Sequence, residues 1–161
     1  MVTFGPKPSY QDYGREFDYA PSGDGRALTI AFSADGPLQA QITDDGDPPI
    51  SSAAFSLAVP LEGSTGEKVE IEFSLTGLAK TSGGATATMM LSVSGQSIVV
   101  DFPTDTDQDL IDQKRVVTFT AENGASECRI SVFLLVGRDS PSGSAFLNAS
   151  TIEAEFLPRP A

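Results

Sequence analysis

The amino-acid sequence predicts an all-β protein: a two-sheet antiparallel β-sandwich of the jelly-roll type, with an extended N-terminal arm over residues 1–20 and a single domain over residues 21–161. Three observations lead there. Apolar residues in the strong segments recur with period two, as strands with one face on a core require. Clusters of Gly, Pro, Asp, Asn and Ser separate these segments at short, regular spacing, the turn chemistry of sandwiches and barrels. A chain of 161 residues is also about the size that builds one hydrophobic core, so one domain is expected.

In chain order, the first stretch carries Pro6 and Pro8, which keep the backbone extended, and all three tyrosines, Tyr10, Tyr13 and Tyr19, with Phe17 among them. Leu28, Ile30 and Phe32 give a first strand, and Phe55, Leu57 and Val59 a second. The clearest segment is Glu67 to Leu75. Val69, Ile71, Phe73 and Leu75 share one face and Lys68, Glu70, Glu72 and Ser74 the other, whereas a helix would scatter the four apolar groups around its axis.

Ala87, Met89, Leu91 and Val93 continue the pattern, and Ser92 to Phe102 reads as a hairpin turning at Ser94-Gly95. Asp105 to Lys114 is the one stretch read as a short helical turn, with Asp107 or Asp109 as its cap. Val117, Phe119 and Ala121 follow. Cys128 to Val136 is apolar on both faces, with Phe133 and Leu135 opposite Val132, Leu134 and Val136. Such a strand is either central under the arm or part of a subunit interface. Ile152, Ala154 and Phe156 close the pattern, alternating with Glu153 and Glu155.

Charge and composition narrow the chemistry. With 22 acidic and 10 basic residues the chain carries −12, which repels phosphate backbones and anionic lipid and offers no basic stripe, so neither nucleic acid nor membrane is an expected partner. The first residues lack the basic start and apolar run of a secretory signal, so synthesis in the cytoplasm without a leader is expected. The chain has no histidine, which removes Ser-His-Asp and Cys-His catalysis and the commonest zinc ligand. Most carboxylates fall in turns or alternate outward on strands, where none is set in the apolar pocket that general acid catalysis needs, so no enzyme is expected. The lone Cys128 reads as a buried small hydrophobe. Asn148-Ala149-Ser150 matches a glycosylation sequon by chance, and the Gly-rich turns lack the context of a phosphate loop.

Two constellations remain. Asp105, Asp107 and Asp109 alternate in the densest acidic run, a spacing that gathers carboxylates as a Ca²⁺ loop does, although Leu110 and Val116 stand where an EF-hand has its glycine and its bidentate glutamate. Calcium or a solvated acidic loop are the two readings, and no other cofactor is expected. Tyr10, Tyr13, Phe17 and Tyr19 make good anchors for a partner's groove, because rings bury much area for few rotatable bonds; alternatively they cover an edge of their own sandwich.

From Ser52 onward the chain resembles the galactose-binding-like jelly rolls, and within them the carbohydrate-binding modules that accompany polysaccharide-degrading enzymes. The resemblance is carried by Ala54 to Leu57 before the turn at Gly66, by the alternating strand to Phe73, by Val116 to Ala121, and by the closing pair from Ser144 to Phe156. It implies the jelly-roll architecture. Asn148 stands where that family usually has Asp, and the chain has no Trp, so a sugar ring would have to stack on Tyr or Phe.

Together these features predict a non-enzymatic structural or binding module acting through protein–protein contacts. The expected setting is a larger particle, as a virion decoration or fibre-base component, with the chain assembling as a homo-oligomer. The alternative is a carbohydrate-binding module, with or without calcium.

Overall fold

The computed structural model describes residues 2–8, 17–33, 38–43, 45–63, 68–102, 107–110, 115–120 and 127–157. Twelve strands run in chain order: β1 Thr3–Phe4, β2 Phe17–Pro21, β3 Ala27–Phe32, β4 Leu38–Ile42, β5 Ile50–Glu62, β6 Lys68–Ser82, β7 Thr86–Val93, β8 Gln96–Phe102, β9 Asp107–Leu110, β10 Arg115–Thr120, β11 Glu127–Gly137 and β12 Ser144–Phe156. Every pairing is antiparallel. One sheet has the order β1-β5-β11-β7-β8, and the other β10-β6-β12-β3-β2, with β4 also on β12 and β9 also on β6. The chain is thus the predicted two-sheet sandwich of jelly-roll type.

The second sheet is seven-stranded but only five strand positions wide. β3 pairs with β12 over Thr151 to Glu155 and β4 with β12 over Ala145 to Ala149, so the two lie end to end as one interrupted strand. β9 and β10 lie in the same way along β6. β4 is a strand the turn residues on either side conceal in the sequence, although Leu38, Ala40 and Ile42 alternate and all three are buried. β9 replaces the helical turn expected over Asp105 to Lys114. Pairing with β6 gives its backbone partners along an edge that would otherwise stay open, and this outweighs a weak local preference for helix.

The core is the inner faces of both sheets. Phe55, Leu57, Ile130 and Leu134 from one meet Leu28, Ile30, Ile71, Phe73 and Leu75 from the other. The alternation read from Glu67 to Leu75 is met, with Val69, Ile71, Phe73 and Leu75 inside. The hairpin at Ser94-Gly95 is met as well: both residues have positive φ, 46° and 91°, and Val93 pairs with Gln96 across the turn.

The described part of the first 20 residues contributes β1 and most of β2 to the two sheets. Val2 and Phe4 are core residues, β1 pairs with the end of β5, and β2 edges the second sheet against β3. The ring of Phe4 packs 4.5 Å from that of Phe156, the Arg26 guanidinium lies 4.7 Å from the centroid of the same Phe156 ring, and its Nη1 donates to the Val2 carbonyl at 2.6 Å. The boundary expected after residue 20 therefore falls inside β2. Along this edge the N-terminal segment ties the two sheets together.

Candidate functional site

Of the residues singled out as partner anchors, Tyr10 and Tyr13 lie outside the described residues. Phe17 and Tyr19, partly buried, pack against the core of their own sandwich. Phe17 meets Phe55 edge-on at 5.2 Å, and the Tyr19 hydroxyl donates to the Gly5 carbonyl at 2.9 Å. Burial, with a smaller contribution from Cys128, pushes the Tyr19 phenol up to about 12. Asp105 also lies outside the described residues. Asp107 and Asp109 are placed in β9, opposite Lys80 and Leu78 of β6. Among the described residues no three carboxylates or thiols converge closely enough to hold a metal ion. Cys128 faces the core, and burial first, then the charge of Glu127, pushes its thiol up to about 12.

What remains is the outer face of the five-stranded sheet. Registers across β5, β11, β7 and β8 place Ala54, Phe133, Met90 and Val99 in one straight row across all four strands. Phe133 is 36% exposed and Val99 56%. The next row on one side is Ser52, Leu135, Thr88 and Asp101, and on the other Ser56, Ser131, Ser92 and Ser97. Thr88 donates to Asp101 at 2.9 Å, and the Ser56 and Ser131 hydroxyls lie 3.3 Å apart. Thus an apolar ridge runs between a row of four serines and a mixed row of Ser52, Leu135, Thr88 and Asp101. Asp101 is the one charged residue in these three rows; beyond the serine row, Arg129 donates to Ser56 at 2.9 Å.

The two-faced apolarity of Cys128 to Val136 marked Phe133 and Leu135: β11 is central in its sheet, and its odd-numbered residues are what reach the outer surface. Ala54, Met90 and Val99 were missed. The signal for Val99 was present in the unbroken run Ile98-Val99-Val100, where strict alternation allows only the outer two residues onto the core face.

To one side of the ridge, at Leu135 and Thr88 of the neighbouring row, lies a depression of about 420 Å³ lined also by Ile50, Thr86, Arg138 and Asp139 among others. Ile50 is 63% exposed. The rim is fixed by Arg138, whose guanidinium donates to the carbonyls of Asp47 at 2.8 Å, Gly143 at 3.1 Å, Asp45 at 3.3 Å and Pro141 at 3.4 Å. One planar fork thereby holds two loops, a geometry an ammonium cannot reproduce.

Neither the models of known protein families nor the curated proteins contain a match to this chain. Among solved structures, the carbohydrate-binding module TmCBM61, determined in complex with β-1,4-galactotriose, is 11% identical over 98% of this chain and 99% of that chain, with a TM-score of 0.38. CBM35 of Abf62 from Cellvibrio japonicus is 12% identical over 99% and 95%, with a TM-score of 0.31. The enzymatically active domain of tailspike protein 4 from bacteriophage CBA120 is 10% identical over 98% of this chain, which spans 19% of that one, with a TM-score of 0.32. At such identities and TM-scores the likeness carries no ligand, partner or activity to this chain. Among the described residues no helix is long and apolar enough to cross a membrane.

Proposed function

We infer that this protein is a non-enzymatic module that works through protein–protein contacts, its outer five-stranded face docking on the same face of a second copy. In this reading it is an accessory component of a larger particle. The observation that carries the reading is the row Ala54, Phe133, Met90 and Val99, apolar and uncharged on a molecule of net charge −12. Interface centres are depleted in charge and enriched in aromatic residues and Met. Two acidic copies approach most easily where charge is sparsest.

Size and symmetry support the same reading. Four strands at about 4.8 Å spacing, and Ile50 to Ala58 at about 3.4 Å per residue, give a patch of roughly 500 Å² in projection. Relief raises its accessible area toward the roughly 800 Å² per partner of a standard interface. A two-fold axis along the strands sets Phe133 against Met90 of the second copy and Ala54 against its Val99. That pairs a ring with a thioether and a small side chain with a branched one.

Sedimentation of the wild type and of Phe133→Asp tests it. The wild type should sediment as a dimer or a higher even-numbered species at tens of micromolar, and the variant as a monomer with unchanged thermal stability. A monomeric wild type overturns the reading. The depression beside Ile50 and Leu135, with Thr86, Thr88 and Asp139 as polar groups, favours carbohydrate as the second reading. A glycan panel run with calcium and with chelator separates the two: binding lost on Thr88→Ala supports the sugar reading.

A further inference from the structure

The opposite face of the molecule is built differently. On the outer side of the seven-stranded sheet, Glu72 of β6 stands directly opposite Glu155 of β12, and Ser74 opposite Glu153, which in turn faces Thr29 of β3. Glu70 and Asp18 extend the acidic surface on either side, both exposed. Like charges directly opposite on neighbouring strands repel, so the pair Glu72 and Glu155 works against the pairing that brings them together. The short side chains Ala27, Thr29 and Ser74 stand between these long ones, and a groove of about 300 Å³ results, lined also by Leu28 and Ala154. The neighbouring Arg26 guanidinium is held by the Val2 carbonyl and the Phe156 ring.

A second feature of the groove is independent of its charge. Ser74 is only 9% exposed, lines the groove, and makes no side-chain hydrogen bond among the described residues. A buried hydroxyl without a partner is a loss of about 1–3 kcal/mol in general, and it is uncommon enough to require a reason. A ligand that donates hydrogen bonds supplies one.

We propose that this groove binds an arginine side chain presented by a basic segment of a partner protein. The carboxylates of Glu153 and Glu155 and the hydroxyls of Ser74 and Thr29 offer several acceptors spread across three strands. A guanidinium has five donors in a planar fork and meets carboxylates bidentately, whereas an ammonium is a single point of charge. Val116, 56% exposed and opposite Glu72 on β10, gives an apolar shoulder for the methylene stem. The site lies on the other sheet from the proposed docking face, so the two inferences stand or fall separately.

The test is fluorescence anisotropy of a labelled hexa-arginine peptide, with hexa-lysine and Ca²⁺ as comparators. Hexa-arginine should bind at least about fivefold tighter than hexa-lysine and weaken as salt rises. Ser74→Ala, which leaves net charge unchanged, should weaken it about fivefold, and the pair Glu153→Gln and Glu155→Gln at least tenfold. The charge-matched pair Asp45→Asn and Glu62→Gln, both exposed and away from the groove, should change affinity less than twofold. Equal losses from the two charge-neutralising pairs, an unchanged affinity in Ser74→Ala, or displacement of the peptide by micromolar Ca²⁺ would each overturn the proposal. Thermal melts of every variant show that a loss of binding is not a loss of fold.

Discussion

Gly77 sits where the central strand β12 is irregular, and replacing it with alanine tests the geometry of the whole second sheet. It pairs with Ala149 on one side and Leu110 on the other, next to the register shift between Ala149 and Thr151. A Cβ added at Gly77 would overlap the Asn148 carbonyl oxygen, and would come 2.9 Å from that carbonyl carbon and 3.1 Å from the Ala149 Cα. All three are backbone atoms, so no side chain can rotate away. Relief requires β6 and β12 to separate locally by about 1 Å, enough to break two or three hydrogen bonds at about 1 kcal/mol each. One of them is the 2.9 Å bond from the Leu78 N–H to the Asn148 side chain. The entropy of the unfolded chain returns about 0.4–1 kcal/mol on a Gly→Ala change. The net expectation for Gly77→Ala is therefore a loss of about 1–2.5 kcal/mol, or a Tm lower by roughly 2–10 °C for a chain of this size.

Urea denaturation of Gly77→Ala, beside two controls, gives the comparison. Gly23 has open space around it and no positive φ, so Gly23→Ala should lie within about 0.5 kcal/mol of wild type. Gly84 has open space but a φ of +85°, so Gly84→Ala isolates the conformational penalty, about 1 kcal/mol. Gly77→Ala as mild as Gly23→Ala would refute the close approach of the two strands.

Further outcomes follow from other contacts. Arg138→Ala should cost about 2 kcal/mol and expose residues 43–49 to protease, and Arg138→Lys should not rescue it, because one ammonium cannot span both loops. Asn148→Ala should cost about 1–2 kcal/mol by orphaning the Leu78 N–H, while Asn148→Asp keeps the acceptor and most of the stability. The thiol of Cys128 should not react with a disulfide reagent at pH 8 in the folded protein, and should react at the rate of unfolding when trapped with excess reagent. Burial raises the folded-state pKa values of Cys128 and Tyr19 to about 12, from ordinary values of 9.0 and 10.0. Between those values and 12 the unfolded chain loses these protons and the folded one keeps them, so stability is intact below pH 9 and falls as pH rises toward 12. Cys128→Ala should move the onset of that fall up toward pH 10, read by chemical denaturation at a series of pH values.

Strand identity was legible wherever burial is one-sided. Ile71, Phe73 and Leu75, or Ile152, Ala154 and Phe156, announce both a strand and its inner face, because a pleated strand alternates its side chains and only one face can reach a core. Ser94-Gly95 announced a hairpin because few residues accept positive φ. β9 was misread because a strand at a sheet edge takes its stability from the strand it joins, which local sequence does not contain. Phe17 and Tyr19 were ambiguous for a related reason: an aromatic residue near a chain end looks the same whether it covers its own sheet or another protein.

By itself, then, the sequence determined the class of fold, the inward residues, the absence of histidine chemistry and the acidic charge. Those are properties of single residues and of their nearest periodicity. Only the tertiary structure decided the register that aligns Ala54, Phe133, Met90 and Val99 across four strands, and the one that sets Glu72 against Glu155. Each such set draws on strands far apart in the chain, and which residue faces which depends on strand order and register, fixed only when the two sheets close over a common core.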